Sequence, residues 1–317
     1  MNAKTIADHL CGLDSVALTS HIRPDADSIG SGLALMRMLQ QIGKRVAFIN
    51  TDIAPHPINL LPGYELIVYG QIFPLDFSAV VLVEGDTGDR TGQKNLQNYF
   101  TICIDHHLAG SSPADLNWVV PQAGAVGELI YQLGVELGVD FDREICFNLY
   151  AAIASDTGSF KYSNTTDRSL LIAADLIKRG GIIPVEVNDL LFNSNPADKI
   201  RIMARVLSTL RLELEGRVAF CELRRSFLGR IDLKQIETED IVAVARSIVG
   251  VEVTVFLKEI SRKYYRVSVR SRSGEMARDT ALFFGGGGHP NAAGFFFTGS
   301  REDAIQEITR VISDLQQ

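Results

Sequence analysis

The chain has 317 residues, 46% of them hydrophobic and 22% charged, with 31 Lys+Arg against 38 Asp+Glu for a formal net charge of −7. That size and balance suit two folded domains and exclude a disordered chain, a collagen-like repeat and a small disulfide scaffold. No apolar run approaches the ~18 residues of a membrane span, the N-terminus lacks a signal-peptide pattern and the four cysteines show no paired spacing, so a cytoplasmic protein with no membrane partner is expected.

In chain order, SVALTS (15–20) reads as a strand and the helical spacing over 29–43 stops at Gly43. RVAFIN (45–50), AVVLVEGD (79–86) and FTICID (100–105) read as further buried strands. Helical patterns follow over 125–138, 143–158 and 167–181. Strands spaced by helices imply a mostly parallel sheet covered on both faces. Residues 188–216 read as a connecting helical stretch that leads into a strand. Beyond it, 217–223, 251–260, 264–272 and 293–299 read as strands, with helices near 237–249 and 301–316. The expected architecture is α/β: an N-terminal parallel-sheet domain over 1–186, a helical linker over 187–205, and a smaller α/β domain with a mixed sheet over 206–317.

The net charge is unevenly spread. Residues 1–205 carry 15 Lys+Arg and 23 Asp+Glu (15 − 23 = −8), whereas 206–317 carry 16 and 15 (16 − 15 = +1). Over residues 258–278, Lys258, Arg262, Lys263, Arg266, Arg270, Arg272 and Arg278 stand against Glu259 and Glu275 alone, a local +5. Long duplex DNA calls for a broad basic surface, because counterion release drives its binding. An acidic chain with one basic stretch suits a small anion instead.

Acidic and histidine residues gather where the predicted strands end. His21, Asp25 and Asp27 follow the first strand in HIRPDADS, Asp86 ends VEGD, Asp105-His106-His107 ends the third strong strand, and Asp156 ends the helix in ASDTGSF. Ligands of open α/β sheets bind at the carboxyl ends of strands. Taken singly, Asp27 also reads as a helix cap, and Asp86 and Asp156 as turn residues before Thr-Gly. Taken jointly they read as a binuclear metal site. Asp25, Asp27, Asp86 and Asp156 would repel one another if buried without counter-charge, and two divalent cations would neutralise them. Mixed imidazole and carboxylate ligation favours Mn²⁺ over Mg²⁺, with Co²⁺ open as well, and the absence of cysteine argues against structural zinc. Water between two such ions becomes a nucleophile suited to phosphoester hydrolysis.

HIRPDADSIGS, VEGDT, IDHH and SDTGSF resemble, in order, the four motifs of the DHH phosphoesterase superfamily, and GGGGHPNAAG (285–294) resembles the glycine-rich motif of its DHHA1 domain. The resemblance covers essentially the whole chain and looks most like the nanoRNase type, which hydrolyses short single-stranded oligoribonucleotides and 3′-phosphoadenosine-5′-phosphate (pAp). It implies that His21 and Asp25 hold one metal, that Asp86 bridges both, and that Asp27, His106 and Asp156 hold the second. His107 would contact the scissile phosphate, and Asp105 would orient the site from behind. In the second domain Gly286, Gly287, Gly288 and His289, with Arg270 on a neighbouring strand, would grip the substrate across an interdomain cleft.

Pro290 stands where many relatives carry a basic residue, and residues 273–284 depart from the usual apolar pattern. Phe295, Phe296 and Phe297 read as strand core rather than a stacking platform. A cyclic-dinucleotide or pGpG phosphodiesterase shares the catalytic half and stands as the alternative. A RecJ-type exonuclease and a family II pyrophosphatase fit less well, and a nucleotide-sensing module without turnover would need an incomplete ligand set. A homodimer is compatible with the sequence.

Overall fold

The computed structural model describes residues 1–316 apart from 73–76, 86–87, 108–113, 230–238 and 273. It divides into two compact units, Met1–Ser194 and Asn195–Gln317. No helix among the described residues is long and apolar enough to cross a membrane.

The first unit begins with helix α1 (Ala3–Cys11), capped by the Asn2 side chain, which accepts from Thr5 N at 3.0 Å. Its sheet consists of β1 (Ser15–Ser20), β2 (Arg45–Asn50), β3 (Val68–Tyr69), β4 (Ala79–Val83), β5 (Phe100–Asp105) and β6 (Leu116–Val119). The strands lie in the order β3-β2-β1-β4-β5-β6 and every pairing is parallel. Every residue of β1 and β4 is buried, as expected for central strands with both faces covered. α2 (Ala26–Gln41) and α3 (Val126–Leu137) pack against the strands, α4 (Arg143–Asp156) packs on α2, and α5 (Asp167–Gly180) and α6 (Pro184–Phe192) pack on α4.

The strand order reverses between β1 and β4, and such a switch opens a crevice at the strands' carboxyl ends. Register decides what stands there. Ser20 lies opposite Val83, and Val83 opposite Ile104. His21, Glu84 and Asp105 are the next residues of their respective chains and so come level on three adjacent strands. Glu84 N extends the ladder by donating to Ile104 O at 2.9 Å.

The second unit opens with α7 (Ala197–Leu207) and contains β7 (Arg211–Glu213), β8 (Val218–Leu223), α8 (Arg225–Leu228), α9 (Glu239–Arg246), β9 (Val253–Ser261), β10 (Tyr264–Ser271), α10 (Met276–Phe283), β11 (Gly287–His289), β12 (Ala292–Thr298) and α11 (Arg301–Leu315). Its sheet runs β11-β12-β10-β9-β8-β7; β8 and β9 are parallel and the other pairs antiparallel. Strict alternation buries Phe295 and Phe297 against α10 and α11, while Phe296 is 59% exposed and stacks on Tyr264 with centroids 5.5 Å apart.

Candidate metal centre

The crevice of the first unit is built by chain reversals that immediately follow strands. After β1 the chain turns through Arg23, whose φ of 55° lies in the left-handed region and whose N–H donates to Asp52 Oδ2 at 3.0 Å. His21 is buried, and its Nδ1–H donates to Ile22 O at 2.9 Å. Because a carbonyl accepts only, that bond leaves Nε2 as the lone-pair nitrogen. Nε2 points at Asp25 Oδ2 (3.7 Å) and Glu84 Oε2 (4.0 Å). Asp25 is the N-cap of α2 in a reciprocal capping box with Ser28. Burial opposes its charge, but the nearby His21 ring and the bonds from Ser28 outweigh burial and hold the carboxyl at about 2.

Asp27, in the first turn of α2, is buried and does a second job. Its Oδ2 accepts from Val126 N at 2.6 Å, and its Oδ1 from Gly127 N at 2.9 Å and Ser31 Oγ at 3.0 Å. The N-cap of α3 is Ala125, which has no side-chain acceptor, so Asp27 caps that helix from another one. Burial, followed by the charge of Asp156, pushes Asp27 up to about 7.

On β5, Asp105 is fully buried. Its Oδ1 accepts from His106 N (2.7 Å), His107 N (2.9 Å) and His107 Nδ1 (3.0 Å). Burial raises this carboxyl, but the bonds from His107 and His106 prevail and its pKa falls below the ordinary value. His106 donates Nδ1–H to Ala123 O at 3.0 Å, which leaves its Nε2 facing Asp156 Oδ2 at 3.7 Å. Asp156, the last residue of α4, receives Asn164 Nδ2 on its carbonyl at 3.1 Å and on Oδ2 at 3.4 Å.

Glu84 was passed over in the sequence, where it reads as part of the strand ending at Asp86. The strand ends at Val83, and Glu84 turns the chain with φ 58° while keeping its side chain 2% exposed. Its Oε2 approaches His21, and its Oε1 lies 3.8 Å from His107 Nδ1. Burial, then the charges of Asp25, Asp27, Asp156 and Asp105, raise its pKa well above normal. Asp86 itself lies outside the described residues. The available signal was the first polar residue after an unbroken apolar run.

Among the described residues, ligand-type atoms form three overlapping groups, each within 4.8 Å: His21–Asp25–Glu84, Glu84–His106–His107 and Asp27–His106–Asp156. Glu84 and His106 each belong to two of them. The donor set fits hard-to-borderline divalent cations. A direct sign of fit lies in the unmet polar atoms. His21 Nε2, His106 Nε2, Glu84 Oε2 and Asp105 Oδ2 are all buried without a hydrogen-bond partner among the described residues. Buried polar atoms are normally satisfied, so four orphans in one crevice mark a place for a cation.

The remaining candidates lie in the second unit. Arg270 is half-buried on β10, opposite Ala292 and Thr254. Gly286 leads into β11, and Gly287, Gly288 and the backbone of His289 pair with Gly294, Ala293 and Ala292; the His289 side chain lies outside what is described. The glycines differ in what they need. Gly285 ends α10 at φ 75°, a Cβ on Gly286 would collide with Gly294 O, and Gly288 has φ 145°. A Cβ on Gly287 would meet nothing within 4 Å.

Known proteins match in the same order as these parts. Residues 15–153 match the DHH family, N-terminal domain, and residues 218–317 match the DHHA1 domain. The chain is 31% identical over 303 residues to the bifunctional oligoribonuclease and PAP phosphatase NrnA of Thermus thermophilus, covering 95% of this chain and 89% of that protein. It is 27% identical over 314 residues to the protein of the same name from Bacillus subtilis, covering 96% and 94%. An exopolyphosphatase-related protein from Bacteroides fragilis shares the fold, with a TM-score of 0.88 at 23% identity over 98% of this chain and 96% of that one. With both domain matches in order and a relative above 30% identity aligned almost end to end, the chain belongs to the DHH family and carries a DHHA1 domain after its DHH domain.

Proposed function

We propose that this protein is a cytoplasmic, metal-dependent phosphoesterase that hydrolyses short oligoribonucleotides to mononucleotides and pAp to AMP. The carrying observation is the crevice at the β1/β4 switch, where two imidazole nitrogens and two carboxylate oxygens are buried and unmet. Membership of a phosphoesterase family and the names of the relatives from T. thermophilus and B. subtilis supply the substrate class. Buried thiols at Cys103, Cys146 and Cys221 suit a reducing compartment.

His21, Asp25 and Glu84 would hold one divalent cation, and Asp27, His106 and Asp156 the other, with Glu84 reaching towards both groups and Mn²⁺ the favoured ion. Cations bound there supply acidified water and neutralise phosphoryl charge. The chain's own groups do the rest. Ile22 O and Ala123 O fix the tautomers of His21 and His106, so that each presents Nε2 to the crevice. Asp105 accepts the Nδ1–H bond of His107, and with a proton on both nitrogens that part-exposed ring would donate Nε2–H to a phosphoryl oxygen. In the second domain Arg270 offers a fork to phosphate, and Gly287, with room where a side chain would stand, lets substrate approach the backbone.

The test is a panel with Mn²⁺ of di- to pentaribonucleotides, pAp, pGpG, cyclic di-AMP and pyrophosphate. Hydrolysis of dinucleotides and pAp is expected. Turnover of pGpG or cyclic di-AMP in their place would move the reading to a signalling-nucleotide phosphodiesterase, and no turnover of anything would end the enzyme reading.

A further inference from the structure

Besides Asp105, a second buried carboxylate stands behind the crevice and belongs to none of the three ligand groups. Glu128, in the first turn of α3, has a fully buried side chain. Its Oε1 accepts from Gly124 N at 3.0 Å and from Ser169 Oγ at 2.6 Å. Ser169 belongs to the capping box of α5, so Glu128 ties the approach to α3 to the start of α5.

That approach, residues 123–127, contacts two members of one candidate cation group directly and reaches the third through Asn164. Ala123 O takes the Nδ1 proton of His106 at 3.0 Å. Gly124 O accepts at 3.0 Å from Asn164 Nδ2, which also reaches the carbonyl and carboxylate of Asp156. Val126 N and Gly127 N donate to Asp27. Gly124 has no freedom to drift: a Cβ there would lie 2.8 Å from Glu128 Oε1 and 2.9 Å from both Asn164 O and Ser169 Oγ. The bond from Gly124 N to Glu128 is therefore the fastening of a segment that sets the direction of three side chains at once.

We propose that Glu128 is a positioning residue for the Asp27–His106–Asp156 cation site, acting through the reach of its Oε1 to Gly124 N rather than through its charge. This rests on the reading of that group as a cation site. His21, Asp25 and Glu84 are oriented by other contacts, so their group is independent of Glu128. Removing an outer partner of metal ligands typically costs about 10–100-fold in metal affinity.

The geometry separates two conservative replacements. Glu128→Gln keeps an acceptor oxygen at the same reach for Gly124 N and loses the charge, which its Oε2 presents to Arg168 Nε at 3.8 Å on the side away from that bond. Glu128→Asp keeps the charge but is shorter by one carbon–carbon bond, about 1.5 Å, and cannot span to Gly124 N without moving the segment. The experiment titrates Mn²⁺ into the metal-stripped full chain, followed by electron paramagnetic resonance and calorimetry, for the wild type and both variants. The wild type should bind two ions. Glu128→Asp should lose about tenfold or more in affinity for one ion, with the other within about threefold of wild type. Glu128→Gln should match the wild type for both. Wild-type affinity at both sites in Glu128→Asp overturns the proposal, as does the reverse pattern with Gln impaired and Asp intact. A wild-type chain that binds no Mn²⁺ fails at an earlier step and ends the metal-site reading itself.

Discussion

The crevice of the DHH domain and the glycine run of the DHHA1 domain are the two most distinctive stretches of the sequence, yet the fold accounts for them very differently. Around the crevice the fold leaves polar atoms unmet: His21 Nε2, His106 Nε2, Glu84 Oε2 and Asp105 Oδ2 are buried with no partner among the described residues. In the glycine run the fold explains most of the motif by itself. Gly285 and Gly288 have positive φ, and Gly286 packs directly against the backbone of β12. Gly287 alone has neither constraint. The lesson is that a motif's distinctiveness in sequence does not measure how much of it serves a ligand. Unmet buried polar atoms and unused space measure that better.

If the first region performs the chemistry and the second holds substrate, variants should separate kcat from KM. The largest effect is expected from Glu84→Gln, which should cost more in kcat than the roughly 10–100-fold typical of outer-shell partners, on pAp and dinucleotides alike. The metal-free form of the variant should melt no lower than wild type, because a carboxyl that burial and its acidic neighbours make costly to ionise is replaced by a neutral amide of the same shape. A variant with wild-type kcat would take Glu84 out of the centre.

Arg270→Ala should raise KM by about tenfold, the scale of one charge-assisted hydrogen bond, with kcat changed far less. An equal fall in kcat with KM unchanged would erase the division of labour. Within the glycine run, Gly286→Ala should destabilise the fold by about 1–3 kcal/mol through overpacking, read by chemical denaturation. Gly287→Ala should leave stability unchanged or slightly raised and increase KM a few-fold. Identical stability losses in the two would show that Gly287 is as constrained as its neighbour.

The smallest effect is one of pH on the metal-free protein. Asp27 is pushed up from 3.8 to about 7, and Glu84, Asp156, His21 and His106 are also raised. A raised group contributes stability that is complete below its unfolded value and lost as pH climbs through its folded value. Asp25, lowered to about 2, is already ionised throughout that window and contributes no slope there. The melting temperature of the stripped protein should therefore fall as pH rises from about 4 to about 8, and saturating Mn²⁺ should abolish the fall, since cations favour the ionised carboxylates. A melting temperature that rises over that window would contradict the crowding of unneutralised acids in the crevice.

Much of the fold was legible because its signals are local. Apolar runs gave away β1, β2, β4 and β5, and helical periodicity gave α3, α4 and α5 to within a residue or two. Both domains and the parallel and mixed sheets follow the expectation from the motifs. The misses are short or compositionally weak. α1 lies where the residues were read only for a signal peptide, β6 has four residues, and β11 is mostly glycine, a poor strand former that pairs because β12 holds it. α10 forms across the segment whose apolar pattern looked irregular.

Sequence alone settled the type and order of the longer elements and the identity of most polar residues at the strand ends, because apolar spacing and strand-terminal His and Asp are written within a few residues of one another. Only the tertiary structure decided that Glu84 comes level with His21 and Asp105, that Asp27 caps a helix 99 residues further along the chain, and that Glu128 fastens the segment behind three candidate ligands. Those relations depend on strand order, on register and on which helix start packs beside which. A single-residue slip in register would move Glu84 away from His21 without changing any local sequence signal.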